Sequence, residues 1–260
     1  MRHILFILLI LAAFQVCAQS TVFITGSNRG IGLGLVQEYA AHGWKVIATC
    51  RKPGEARELQ ALARKDKNVI IEQLDVTDFA RVDELARQYK EQPIDVLINN
   101  AGILPGEEWD KPFSDMNFDY ARKVFEVNSF APVKIMQALL PQIAASGQKK
   151  IINISSQAGS FANTRHKPTR YVYRSSKAAL NMFSFDIAPE LGQKGIIVIA
   201  LHPGVVASSR ELNFEEMKKR FPGVITVKES AAKIYLTVAN LVPGDNGKFL
   251  SYDGGREMAW

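Results

Sequence analysis

Cysteine is nearly absent from this chain. It carries two, Cys17 and Cys50, and no CxxC pair. That argues against a disulfide framework and against a zinc site, and no metal is expected. Dense basic runs are missing as well. The net charge is +6 and the pI about 9.2, yet Lys and Arg are scattered among acids, with no aromatic-basic motif beside them. Nucleic acid is therefore a poor fit, whereas a small anionic ligand suits the same charge. There is no internal repeat and no low-complexity tract.

Long apolar runs are confined to the N-terminus. Arg2 and His3 precede an apolar stretch over 4–14, followed by Val16-Cys17-Ala18, which has the form of a small-residue cleavage site. In form this is a secretory signal. The run is too short for a comfortable membrane span. There is no twin-Arg pair, and the residues before Cys17 match a lipoprotein signal poorly. A cleaved signal, an uncleaved hydrophobic attachment to a membrane and a misassigned start codon are the readings left open for residues 1–20.

Residues 21–260 form a single α/β domain, with 47% hydrophobic residues over the whole chain and enough length for a large core. Short β-rich runs alternate with helical patterns. Strands are expected at 21–25, 46–50, 69–74, 95–98, 151–154, 195–201 and 248–251, and helices at 55–65, 79–89, 113–144, 178–191 and 228–241. This alternation predicts a doubly wound, mainly parallel sheet of about seven strands, with ligands at the carboxyl ends of the strands. Residues 205–225 show no clear core pattern, then a charged helical piece at 214–221, and are a candidate lid over a ligand.

Thr25 is followed at once by Gly26-Ser27-Asn28-Arg29-Gly30-Ile31-Gly32. The glycines lie between a strand and a helix, where Gly26 permits a tight turn, Gly30 lets a ligand approach the helix start, and Gly32 lets helix and strand pack closely. Amides at that helix N-terminus favour a phosphate. The second strand ends in Cys50-Arg51 without the acid that would bind the ribose 2′-hydroxyl of NAD. Arg51, with Arg29 of the loop, instead suits the 2′-phosphate of NADP; two solvated arginines are the plainer reading. Asp75 and Val76 close the third strand near the expected adenine edge. Asn99-Asn100-Ala101-Gly102 ends the central strand, where small residues let a nucleotide lie against the backbone, while Asn99 is also expected to bond neighbouring strands.

The chemistry is expected between Ser155 and Lys177. Tyr173 and Lys177 are four apart and share one helical face. A cation beside a phenol lowers its pKa, and a phenol tuned in this way can exchange a proton with substrate. Ser156 is placed to hydrogen-bond the oxygen whose charge changes. An ordinary surface Tyr/Lys pair is the alternative. Asn128, within a helical stretch, either holds a water behind the Lys177 amine or serves the core. The loop over 160–172 carries Arg165, His166, Lys167 and Arg170, which suits either an anionic substrate or a solvated loop.

Taken together the motifs resemble the short-chain dehydrogenase/reductase family in its single-domain form, and within it the carbonyl-reductase branch near the C-factor and sniffer proteins. The resemblance covers 21–251. It implies a Rossmann fold binding NADP(H) and hydride transfer between the nicotinamide and a carbonyl or alcohol carbon. Ser156, Tyr173 and Lys177 match the catalytic Ser and Tyr-x-x-x-Lys, with Asn128 as fourth member and Ser155 as the alternative serine. Pro203-Gly204 matches the motif after the sixth strand, with Val206 and with Ser208 where the family has Thr. By this resemblance Ser156 holds the carbonyl oxygen, Tyr173 protonates it, and Lys177 binds the nicotinamide ribose and lowers the Tyr173 pKa. A non-catalytic NADP(H)-binding signalling protein is the competing reading. A sugar-nucleotide epimerase is disfavoured because little chain remains after Pro203. The helices over 113–144 and 171–191 are candidates for pairing in a homo-oligomer. NADPH is plentiful in the cytosol and scarce outside it, so a cytoplasmic location is expected in spite of the leader.

Overall fold

The computed structural model describes residues 19–104, 106, 111–162, 169–207 and 214–260. The leader over 1–18, Ser208 and the loop residues Arg165, His166 and Lys167 lie outside these. No helix among the described residues is long and apolar enough to cross a membrane.

The first half alternates strictly: β1 (Thr21–Ile24), α1 (Gly30–Ala41), β2 (Lys45–Cys50), α2 (Arg57–Lys65), β3 (Val69–Gln73), α3 (Phe79–Gln88) and β4 (Val96–Asn99). The expected helical stretch over 113–144 is divided into a 3₁₀ turn (Phe113–Asp115), α4 (Phe118–Phe125), a π turn (Glu126–Phe130), α5 (Ala131–Ala138) and α6 (Leu140–Ala144). Then come β5 (Lys150–Ile154), a 3₁₀ turn (Gln157–Gly159), α7 (Tyr171–Gly192) and β6 (Ile197–His202). The chain continues through β7 (Val205–Val206), α8 (Phe214–Arg220), β8 (Val224–Ile225), α9 (Val227–Ala239) and β9 (Phe249–Ser251).

Seven strands form one sheet in the order β3-β2-β1-β4-β5-β6-β9, and every neighbouring pair is parallel. A parallel sheet must bury both faces, so its strands read as continuous apolar runs whose alternate residues serve different cores. Val22, Ile24, Val46, Ala48, Val96, Ile98, Ile152 and Ile199 face one core, shared with Leu35 and Val36 of α1 and Ile234 of α9. Phe23, Ile47, Leu97, Ile151 and Val198 face the other, shared with Leu85 of α3, Ile135 of α5 and Ala188 of α7. Strand order reverses at β1 and β4, and the crevice at the carboxyl ends of these two strands is where such a sheet takes a ligand.

The described ends of the segment proposed as a lid meet in a short sheet. β7 and β8 pair in parallel, Val205 with Val224 and Val206 with Ile225. Two-residue strands give too little alternation to be read from sequence.

Candidate active site

The glycine loop and the end of β4 are built as one unit. Gly26 has φ +69, a left-handed conformation that glycine adopts without steric cost. At Gly32 a β-carbon would lie 2.2 Å from the Gly26 carbonyl oxygen and 2.5 Å from Asn100 Nδ2, so only glycine fits. Asn100 Nδ2 donates to the carbonyls of Thr25 (2.9 Å) and Gly26 (3.2 Å). The Thr25 hydroxyl accepts from the backbone amides of Asn100 and Ala101, both at 3.0 Å. Ser27 N donates to Thr49 O at 2.9 Å, which ties the loop to β2 just before Cys50 and Arg51. Leu74 N donates to Cys50 O, which brings Asp75 and Val76 to the same edge.

This unit fits a dinucleotide phosphate. Arg29, with extended backbone, precedes α1 without a side-chain cap, and there is no acid in the first turn. The first amides of α1 therefore have neither a capping oxygen nor a repelling carboxylate. Asn28, Arg29 and Arg51 are exposed beside them, with Ile31 half-buried. Asp75 Oδ1 is engaged locally, accepting from Thr77 N and from its hydroxyl; Val76 is buried.

The second group converges from β4, the π turn, β5 and α7. Lys177 is 5% exposed, and its Nζ donates to Ile154 O at 2.8 Å, two residues before Ser156. A β-carbon on Gly102 would lie 3.3 Å from Asn128 Oδ1 and 3.8 Å from Lys177 Nζ. Asn128 sits in the π turn, where the extra residue bulges out of the helical ladder. Its Oδ1 accepts from Ile103 N (2.7 Å), and its Nδ2 donates to Ile103 O (3.0 Å) and Ser176 Oγ (3.1 Å). The amide protons are thus both spent on protein, and only an Oδ1 lone pair is left for a water. Ser156 is half-buried; its hydroxyl accepts from Ala158 N at 3.1 Å and lies close enough to Tyr173 to favour the ionised phenol. Ser155 is 2% exposed and gives its hydroxyl proton to Asn181 Oδ1 in α7.

The electrostatics differ from the sequence expectation. Burial raises the Tyr173 pKa above its usual value, opposed first by the neighbouring Ser156 hydroxyl and then by the charge of Arg170. Lys177 is not among these causes, so the expectation that it drags the phenol toward neutrality does not hold in the free chain. Burial instead brings the Lys177 amine itself down to about 8.

The chain matches the short chain dehydrogenase family over residues 20–219. It belongs to that family. An uncharacterized oxidoreductase of Schizosaccharomyces pombe is 34% identical over 245 residues, covering 89% of this chain and 95% of the relative. The NADPH-bound carbonyl reductase from chicken fatty liver superposes with a TM-score of 0.82 at 35% identity, covering 93% of this chain and 99% of that one. The carbonyl reductase Sniffer of Drosophila melanogaster gives 0.84 at 29% identity, covering 93% of this chain and all of the other (100%). The protein is accordingly a short-chain oxidoreductase.

Asn153, Ser184 and His202 carry no functional reading in the sequence, and Arg170 reads there only as one basic residue of a loop. Arg170 adopts φ 60 and ψ 37 immediately before α7. That left-handed conformation costs a side-chain-bearing residue about 1–2 kcal/mol, and it sets the guanidinium near Tyr173. Asn153, hidden in an apolar strand, accepts from Asn99 Nδ2 at 2.9 Å and donates to Ser184 Oγ at 2.9 Å. This buried chain locks β4, β5 and α7 together, so the strand-bonding role expected for Asn99 is the one its side chain performs. His202 ends β6 at the Ser156 side of the site, where its Nδ1 lies 3.5 Å from Gln157 N. Burial holds its pKa down to about 4, so the ring is neutral at physiological pH. Pro203 O accepts from Ser230 Oγ at 2.7 Å. Gly204 takes φ +90 against Ile225 and Tyr252, and Val206 is half-buried. Beyond the group at Ser156, Tyr173 and Lys177, α4, the π turn and the start of α7 border an apolar groove of about 650 Å³ lined by Met116, Phe118, Phe125, Phe130 and Val172.

Proposed function

We propose that this protein is an NADP(H)-dependent carbonyl reductase, with Tyr173 as its general acid. The observation that carries the reading is the convergence of Ser156, Tyr173, Lys177 and Asn128 at the carboxyl edge of the sheet, beside a glycine loop with exposed arginines and no acid. NADPH supplies the hydride when bound. The glycine loop and the first amides of α1 hold its phosphates, Arg29 and Arg51 its 2′-phosphate, and Asp75 and Val76 border its adenine. Ala101, Gly102, Pro203 and Gly204 give it a close backbone surface. Lys177, fixed by Ile154 O, holds the nicotinamide ribose hydroxyls.

The residues then divide the proton work. Ser156 donates to the substrate carbonyl oxygen as charge builds there, and Tyr173 passes its phenolic proton to that oxygen. A raised Tyr173 pKa keeps this proton in place at neutral pH, which favours reduction. Arg170 and the neighbouring Ser156 hydroxyl limit the rise, so the phenol still yields the proton. A binding protein without turnover is the reading to be displaced. Oxidation of NADPH with a panel of aldehydes, ketones and quinones separates the two. Tyr173→Phe removes the proton with little change of volume, so turnover is expected to fall at least ~10²-fold with NADPH affinity kept. Near-full turnover in this variant would show that another group is the acid.

A further inference from the structure

The segment that carries Ser156 is held from two directions, and one of its holders is remote in sequence. Toward α7 the fit is backbone on backbone. A β-carbon on Gly159 would lie 2.6 Å from the Lys177 carbonyl carbon and 2.8 Å from Ala178 N, so the Gln157–Gly159 turn rests directly on the helix at Lys177. The next residues are tied to the far end of the chain. Ser160 Oγ donates to Ala259 O at 2.8 Å, and Ala162 N donates to Trp260 O at 3.0 Å. Ser160 is 1% exposed, whereas Phe161 between the two ties is 82% exposed. Burial of Phe161 therefore does not fix the path of this segment; the two hydrogen bonds do.

The residues over 256–260 are themselves well anchored. Met258 N donates to Phe249 O at 2.7 Å and Ser251 N to Arg256 O at 2.9 Å, and Leu250 bridges Glu257 in antiparallel fashion. The Trp260 ring stacks on Phe249 with centroids 5.4 Å apart. It also meets Phe185 of α7 edge-on at 5.7 Å, a favoured aromatic geometry. One ring thus touches the outermost strand and the helix bearing Tyr173 and Lys177, and its backbone holds the segment bearing Ser156.

We propose that Trp260 is a positioning residue for carbonyl reduction: packed between Phe249 and Phe185, it holds, with Ala259, the segment after Ser156 and so sets the Ser156 hydroxyl against Tyr173. The inference rests on the carbonyl-reductase reading above. Its physical basis is that a displacement of about 1 Å at a reacting group costs on the order of 10²-fold in rate, and loss of the ring frees the Trp260 main-chain oxygen that fixes Ala162. NADPH contacts assigned to the glycine loop, Arg29 and Arg51 lie on other elements, and Lys177, although on α7, keeps its own anchor at Ile154 O.

The test uses the full chain, with Trp260→Ala, Trp260→Phe and Ser160→Ala beside the unmutated protein. Turnover of a carbonyl by the unmutated protein is established first. Trp260→Ala is then expected to lower kcat by about tenfold to 10²-fold while its Kd for NADPH stays within about twofold, and to speed hydrogen exchange at the Ala162 amide. Trp260→Phe, which keeps a ring on Phe249, is expected to recover most of kcat. Ser160→Ala removes one tie without touching the ring cluster, and its kcat is expected to fall with NADPH affinity kept, so the test stands even if Trp260→Ala folds poorly. Unchanged kcat in both alanine variants overturns the clamp and leaves the carbonyl-reductase reading intact. Parallel losses of kcat and NADPH affinity also overturn it, since they report general loosening. No turnover by the unmutated protein overturns both.

Discussion

Adjacent serines at the end of β5 should respond to the same substitution in opposite ways. Ser155 is 2% exposed, its hydroxyl donates to Asn181 Oδ1, and Asn181 Nδ2 is already buried without a hydrogen-bond partner among the described residues. Ser155→Ala removes the donor and leaves a buried amide oxygen unsatisfied, a loss of about 1–3 kcal/mol. For a domain of this size each kcal/mol moves Tm by about 2–4 °C, so Tm should drop by about 2–12 °C. Turnover per folded molecule should hardly change, because the hydroxyl points into α7. Ser156 is half-buried and faces Tyr173. Ser156→Ala loses only a turn cap to Ala158 N, about 1 kcal/mol, yet removes a donor aimed at the developing oxyanion, worth about 10²–10³ in kcat. Differential scanning calorimetry and NADPH oxidation on one carbonyl substrate, run at a temperature where both variants are folded, supply the comparison. Loss of turnover in Ser155→Ala to match Ser156→Ala, or full turnover in Ser156→Ala, would refute this division of roles.

Cofactor choice rests on Arg29 and Arg51 beside a strand end that lacks an acid: NADPH should bind more tightly than NADH, and Arg51→Asp should narrow or reverse the gap in a fluorescence titration. Equal affinity of the unmutated protein for both cofactors would remove the 2′-phosphate role. For the leader over 1–18 we propose retention and a cytosol-facing enzyme, because NADPH is scarce outside that compartment. N-terminal sequencing of the native protein should read from Met1 or Arg2, and a start at Gln19 would overturn the proposal.

The parts of the fold legible in sequence were those with local signatures. The parallel sheet is readable from apolar runs such as 95–98 and 195–201 punctuated by helical periods, and the glycine loop from Gly26, Gly30 and Gly32 between a strand and a helix. Spacing puts Tyr173 and Lys177 on one helical face, but only the accompanying motifs set them apart from an ordinary surface pair. The features that sequence did not show depend on contacts between distant segments. The meeting of Asn99, Asn153 and Ser184 joins residues far apart in the chain, and an Asn amid isoleucines carries no mark of its partner. Arg170 looked like one member of a basic loop; only its left-handed backbone shows that it is set at the start of α7. The π turn at Asn128 is not visible in sequence because helical periodicity survives one inserted residue, so 113–144 reads as mostly helical, in one piece or two, with nothing to mark the bulge. The electrostatic sign at Tyr173 was misjudged for a further reason. Spacing places a cation one helical turn away, but burial, which dominates here, is a property of the folded surroundings.

Burial of Lys177 also makes the site unfavourable to the free chain, and in a measurable way. Its pKa is about 8 in the folded protein against a usual 10.5. The folded state therefore carries the burden of a desolvated ammonium in full below about pH 8, and sheds it as pH rises toward 10.5 and the unfolded amine still binds its proton. That difference corresponds to roughly 3 kcal/mol, against which the hydrogen bond to Ile154 O recovers part. Lys177→Met fills the same space without the charge. It leaves the Ile154 carbonyl unpaired, at a cost of about 1–3 kcal/mol, so Tm at pH 7 should stay level or rise slightly. The sharper expectation concerns slope: stability of the unmutated chain should climb between pH 8 and 10 relative to Lys177→Met, whose profile lacks this titration. Matching slopes in the two proteins would mean that the amine keeps its ordinary pKa and is not desolvated. If the slopes differ while NADPH affinity falls in the variant, the amine is retained at the expense of stability because the ligand needs it. Such a conflict between local stability and the residue present is what distinguishes a binding group from a structural one at this edge of the sheet.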